Sequence, residues 1–166
     1  IYISLALEAM KQGRNILYLV PEISLSRQLE ERLEKYFGDA LMTFHSRETA
    51  ASKRKTAEKI RELESGKGNY IVLGTRSSLF LPHHNLGLII VDEEHDTSYK
   101  QDSPAPRYNG RDTALILSLI HKSNVILGSA TPSLEELYNC STGRHEQVIL
   151  NERFHGSDDS EIEIID

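Results

Sequence analysis

The chain has 166 residues, 39% of them hydrophobic and 27% charged, and a formal net charge of -6 at pH 7. That length provides one domain with a single sizeable core, and the composition is that of an ordinary globular chain. The acidic balance argues against a free-standing nucleic-acid binder, and no apolar run is long enough to predict a membrane span. Cys140 is the only cysteine, which excludes a disulfide framework and a thiolate cluster for zinc. With no signal-peptide pattern at the start, a reducing, cytoplasmic setting is expected.

Residues 1–11 have apolar side chains at helical spacing and stop near Gly13. No Ser, Thr, Asp or Asn precedes them as a cap, so the helix looks like a cut through a longer chain. Residues 15–20, NILYLV, predict a buried strand ended by Pro21. Residues 24–36 predict an amphipathic helix with Leu25, Leu29, Leu33 and Tyr36 on one face, stopped by Gly38. A short strand over 40–44 leads into His45 and Ser46, and 49–64 predict a charged, mostly solvent-facing helix. The strand over 70–73 opens into Gly74, Thr75, Arg76, Ser77 and Ser78. His83 and His84 are adjacent, without helical metal-ligand spacing, and belong to a turn.

Residues 86–96 read LGLIIVDEEHD. The run 86–91 has the length and β-branched character of a strand buried on both faces. It ends abruptly in Asp92, Glu93, Glu94 and His95. In an open α/β sheet, ligands sit beyond the carboxyl ends of the strands, where such a cluster has a use. A magnesium ion takes oxygen ligands, often one carboxylate plus phosphate oxygens and water, and a second carboxylate can orient the attacking water. Asp92 would serve the metal and Glu93 the water. A solvated acidic turn is the competing reading.

Residues 97–111, TSYKQDSPAPRYNGR, predict a long polar and aromatic loop, a kind that tends to carry function. Basic residues gather at Lys53, Arg54, Lys55, Lys59 and Arg61, and again at Lys100, Arg107 and Arg111. A helix over 112–121 and a strand over 125–127 follow, then Gly128, Ser129, Ala130, Thr131, Pro132 and Ser133. Pro132 in a first helical turn, with Glu135 and Glu136 next, makes Thr131 the best-placed N-cap. Residues 147–150 and 161–165 predict two last strands around a mobile polar stretch, 155–160. Strand and helix alternate almost throughout, which argues for a mainly parallel sheet covered on both faces.

The segments LVPEISLSRQ, HS, GTRSSLF, IIVDEEH and LGSATPS, in this order and spacing, resemble motifs Ia, Ib, Ic, II and III of superfamily 2 helicases. DEEH followed by SYKQ and PRYNGRD resembles the bacterial primosomal replication-restart helicases in particular. The resemblance implies an α/β, three-layer RecA-like P-loop NTPase lobe, truncated before its first strand. Residues 1–150 would form this partial lobe, and 151–166 would lead toward a second one. No GxxxxGK[ST] loop occurs in the chain. The family's N-terminal DNA-binding region, second motor lobe and zinc-binding cysteines are likewise expected elsewhere.

By this resemblance Asp92 coordinates Mg²⁺ through ATP, Glu93 polarises the hydrolytic water, and Glu94 and His95 link the nucleotide state to neighbouring motifs. Ser129, Ala130 and Thr131 couple hydrolysis to strand movement. Pro21, Glu22, Ser46, Gly74, Thr75 and Arg76 line a single-strand track. Tyr99, Lys100, Arg107 and Tyr108 would sense DNA through ring faces and cations, although both tyrosines could instead pack the loop onto the domain. The implied protein is an ATP-dependent, 3′-to-5′ DNA helicase that restarts stalled forks by primosome loading. Its implied cofactors are ATP and Mg²⁺, with zinc held outside this chain. The implied partners are single-stranded and forked DNA, primosome proteins and single-stranded-DNA-binding protein, near the bacterial nucleoid. Another superfamily 2 translocase, or a non-catalytic DNA-binding scaffold, is the alternative. The absent first strand should lie beside 125–127, so a rearranged late strand or a homodimer is expected on that side.

Overall fold

The computed structural model describes residues 1–64 and 68–150. The strands are β1 (Asn15–Leu19), β2 (Leu41–Phe44), β3 (Ile71–Gly74), β4 (Leu86–Val91) and β5 (Asn124–Leu127). The helices are α1 (Tyr2–Lys11), α2 (Arg27–Phe37), α3 (Ala50–Leu63), α4 (Gly110–His121) and α5 (Leu134–Ser141). All five strands join one sheet in the order β2-β3-β1-β4-β5, and every pairing is parallel. Parallel neighbours need crossover connections, which the intervening helices supply. The expected α/β class with a parallel sheet is therefore what the chain adopts.

Every residue of β1 is buried, and the pleat of the strands sorts their side chains into two cores. Leu17, Leu19, Ile89 and Val91 pack on one face with Ile60 of α3 and Ala114 of α4. Ile16, Tyr18, Leu88 and Ile90 pack on the other with Ala6 of α1 and Leu33 and Phe37 of α2. The result is three layers. At the amino ends of β1, β3 and β4, side chains satisfy main-chain groups. Asn15 Oδ1 accepts from the Tyr70 amide at 3.0 Å, while its amide donates to His84 O at 2.7 Å. The His83 ring meets Ser78 O at 2.8 Å and the His84 ring meets Ile60 O at 2.9 Å. Burial pushes the Tyr70 hydroxyl up to about 12. Arg14 donates to Leu86 O and, at 3.3 Å, to His121 O at the carboxyl end of α4.

Several element ends differ from the sequence expectation. Helix α2 starts at Arg27, with Ser26 Oγ accepting from the Leu29 amide at 3.2 Å. It runs one residue past Tyr36, and Phe37, four after Leu33, takes the buried place while Tyr36 stays exposed. Helix α5 starts at Leu134 and is capped by Ser133, whose Oγ accepts from the Glu136 amide at 3.4 Å. Thr131 and Pro132 therefore precede the helix, and Thr131 is not its cap. Residues 147–150 form no strand, and β5 has β4 as its only strand partner among the described residues. No rearranged late strand covers that edge among them. The expected strand at 161–165 and the polar stretch 155–160 lie outside the described residues.

Ile1–Pro132 forms one compact unit, which holds the sheet and α1 to α4, and a second begins at Ser133. In the second, Glu136 of α5 meets His145 at 2.6 Å. Among the described residues no helix is long and apolar enough to cross a membrane.

Candidate functional site

Because the strands run parallel, the segments that follow β1, β3, β4 and β5 emerge on one edge of the sheet. The acid box is fastened there by main-chain bonds that prolong the ladders. The Asp92 amide donates to Leu19 O of β1 at 2.9 Å, the Glu94 amide to Gly128 O at 3.0 Å, and the Gly128 amide to Val91 O at 2.9 Å. Glu93 sits between two of these anchors with φ of +48°. A non-glycine residue in the left-handed region is uncommon and is typical of functional turns. Its amide makes no ladder bond and donates instead to Asp92 Oδ1 at 3.2 Å.

Three phenols converge on Asp92. Tyr2 Oη donates to Oδ1 and Tyr18 Oη to Oδ2, each at 3.3 Å. Tyr99 Oη donates to the Asp92 main-chain carbonyl at 2.7 Å. Burial and then the Asp92 charge push all three hydroxyls well above the ordinary phenol range, so they remain protonated donors.

His95 joins the box to the segment after β5. Its Nδ1 lies 2.7 Å from Ser129 Oγ, and its Nε2 lies 3.3 Å from Thr131 Oγ1. Ser129 Oγ also accepts from the Thr131 amide at 2.9 Å. Glu93 approaches the same ring, with Oε2 3.7 Å from Nδ1. Glu94 points inward, its side chain 2% exposed, and meets Arg111 Nη1 at 3.2 Å. The structure thus brings Asp92, Glu93, Glu94, His95, Ser129 and Thr131 together, with exposed Ala130 between the two hydroxyls.

The residues expected along the single-strand track separate into two sets. Glu22 and Ser46 are exposed after β1 and β2, and so are Lys100 and Arg107. Pro21, Gly74 and Thr75 are buried. A Cβ on Gly74 would stand 2.6 Å from Phe44 O and 2.6 Å from Ser78 Oγ, so close packing is what requires glycine there. Thr75 Oγ1 and Ser77 Oγ are buried without a hydrogen-bond partner.

Arg76 Nη1 donates to Ser98 O at 2.9 Å and Lys100 O at 2.7 Å, so its guanidinium fixes the 97–111 loop. Tyr99 is 2% exposed, inside the core, and its ring presents no face for a base to stack on. Tyr108 is half-buried and packs edge-to-face on Phe80 at 4.9 Å. The loop is not featureless either, having a 3-10 turn at Thr97–Tyr99 and a bridge between Lys100 and Asn109. Sequence reasoning missed Tyr2, Tyr18 and the pairing role of Arg111. One signal was available: a phenol inside an apolar strand run needs a polar partner.

Among the described residues no cluster of three or more His, Cys, Asp or Glu could hold a metal by itself. Asp92 offers a single carboxylate at the end of β4, and a Mg²⁺ ion held by one carboxylate takes its remaining ligands from phosphate oxygens and water.

Residues 1–140 match the DEAD/DEAH box helicase family. The chain belongs to that family, and its α/β lobe has the RecA-like form that the motifs implied. Within the family, it is 44% identical to Replication restart protein PriA of Rickettsia typhi over 166 residues, 100% of this chain and 25% of that protein. PriA of Haemophilus influenzae is 40% identical over 92% of this chain and 20% of its own length. PriA of Helicobacter pylori is 47% identical over 81% of this chain and 21% of its own length. The likeness to primosomal replication-restart helicases is thereby borne out, and the chain spans between a fifth and a quarter of the length of these curated relatives. Among solved structures, the DUF1998 helicase MrfA shares the fold at a TM-score of 0.50 and 17% identity, over 86% of this chain and 24% of that one.

Proposed function

We propose that this chain is the acid-box part of an ATP-driven DNA motor that restarts stalled replication forks. The observation that carries the reading is the contact between His95 and Ser129 at 2.7 Å. It joins the metal-bearing strand end to the segment after β5, so a change at one is felt at the other. Asp92 would hold Mg²⁺, which supplies charge neutralisation at the triphosphate. Glu93, displaced from the ladder by its backbone turn, orients and polarises water. His95, Ser129 and Thr131 transmit the nucleotide state, and Glu94 sets the box against Arg111 at the start of α4.

In a protein of the relatives' length, the motor would run 3′-to-5′ on single-stranded or forked DNA and load primosome proteins. It would work with single-stranded-DNA-binding protein in the cytoplasm, close to the nucleoid. Exposed Ser46, Lys100 and Arg107 suit contacts to a phosphate backbone. Arg76 and Tyr99 hold the loop that carries both cations, Lys100 and Arg107. This reading gives them a positioning part in place of the direct DNA contact the motifs implied.

DNA-stimulated ATP turnover by the full-length protein, with Asp92→Ala as its partner variant, tests the proposal. Turnover in the parent and none in Asp92→Ala is expected, and no turnover in the parent would favour a scaffold. The 166-residue chain contains no GxxxxGK[ST] loop to cradle phosphates, so by itself it should neither bind ATP tightly nor hydrolyse it. Micromolar Mg·ATP affinity in a titration of residues 1–166 would overturn that part.

A further inference from the structure

The helicase motifs account for Asp92 but not for the phenols around it. Tyr18 is the penultimate residue of β1 and Tyr2 the first residue of α1. Their rings meet edge to face at 5.6 Å, and each hydroxyl reaches a different oxygen of the same carboxylate. A carboxylate offers about four acceptor positions. Oδ1 receives Tyr2 and the Glu93 amide, and Oδ2 receives Tyr18. Donors on both oxygens fix the rotation of the carboxyl plane while leaving one acceptor position, on Oδ2, for a cation.

These phenols could simply be core rings whose hydroxyls found the nearest acceptor. Gly128 argues otherwise. A Cβ built there would fall on the Tyr2 hydroxyl, with the Asp92 carboxylate 3.6 Å away. Gly128 has no positive φ to demand glycine, so clearance for the phenol is what this position supplies. A site in which one residue is kept small so that another's hydroxyl can reach the acid is built around that hydroxyl.

We propose that Tyr18 and Tyr2 are positioning residues that orient the Asp92 carboxylate for a divalent cation shared with a nucleotide phosphate, and that Gly128 leaves the space for the Tyr2 hydroxyl. The inference rests on the reading of Asp92 as the metal-bearing acid. Hydrogen-bond partners of a ligating carboxylate typically change metal affinity by about 10- to 100-fold when removed. Tyrosine to phenylalanine keeps the ring in the core and deletes only the donor.

The test is Mn²⁺ binding by the full-length protein with a non-hydrolysable ATP analogue, read from the loss of the free Mn²⁺ electron paramagnetic resonance signal. Wild type is compared with Tyr18→Phe, Tyr2→Phe/Tyr18→Phe, Gly128→Ala and Asp92→Ala. The double variant is expected to weaken Mn²⁺ binding about tenfold, with a thermal midpoint in metal-free buffer close to that of wild type. Gly128→Ala, which displaces the Tyr2 hydroxyl without touching Tyr18, is expected to weaken it by less. Should Asp92→Ala lose Mn²⁺ binding while the double variant matches wild type, the positioning role is wrong and the metal reading stands. Unchanged Mn²⁺ binding in Asp92→Ala would overturn both.

Discussion

Replacing Arg111 by Met removes one half of the ion pair that anchors the acid box from within. The two charged atoms stand 3.2 Å apart, with the Glu94 side chain 2% and the Arg111 side chain 15% exposed. At that separation and an effective dielectric of about 20, the attraction is about 5 kcal/mol. Desolvation of both groups offsets most of this, so the intact pair adds little net stability. Removing the guanidinium alone leaves the desolvation of Glu94 uncompensated, a loss of about 3–5 kcal/mol for a buried pair. Glu94 is not held by Arg111 alone, so the lower end applies, about 3 kcal/mol. The contact from Arg111 to the half-exposed Asp112 adds a few tenths at most. For a chain of this size each kcal/mol moves the midpoint by about 2–4 °C, so Arg111→Met should melt about 6–12 °C lower. Urea denaturation of wild type, Arg111→Met, Glu94→Gln and the double variant gives the coupling directly, and the double variant should recover more than half of the loss. A cost below about 1 kcal/mol for Arg111→Met would refute the argument from a desolvated partner.

Two further outcomes follow from the frame of the sheet. Burial lowers His83 from 6.5 to about 4, so the unfolded chain takes up the proton first as the solution is acidified. The contribution is complete above pH 6.5 and is lost as pH falls toward 4, up to about 3 kcal/mol. His121 is lowered by burial as well and acts in the same direction. Urea midpoints between pH 7.5 and 4 should fall more steeply for wild type than for His83→Phe, and parallel curves would contradict this. Gly74→Ala would place its new methyl 2.6 Å from Phe44 O, a main-chain atom, and should cost about 1–3 kcal/mol by thermal melting. An unshifted midpoint would show that β2 yields freely.

The parts that were legible in the sequence are those whose signal is local. The apolar run before Asp92 gave β4 its observed bounds, Leu86–Val91, because a strand buried on both faces has no polar residue to blur its ends. The gathering of Asp92, Glu93, His95, Ser129 and Thr131 followed from parallel order alone, since every strand delivers its following segment to the same edge. Helix starts were less legible. Ser24 and Ser26 before α2, and Thr131 and Ser133 before α5, offer equivalent hydroxyls two residues apart. Only the backbone turn decides between them. The 3-10 turn at Arg76–Phe80 has no repeating pattern to betray it. The motif resemblance implies DNA contacts for Tyr99 and Arg76, and a polar loop gives no hint of inward-facing side chains. Their partners within the lobe, Asp92 O for Tyr99 and the carbonyls of Ser98 and Lys100 for Arg76, are set by tertiary approach.

The bond from the Asp92 amide to Leu19 O gives the site a particular resilience. It prolongs the ladder between β1 and β4, two interior strands of the sheet, and core strands are the elements that open at the highest free energy. Frayed helix ends and a shaken loop would leave the acid where it was. The acid is thus tied to the strands at the centre of the sheet and not to the segments around them.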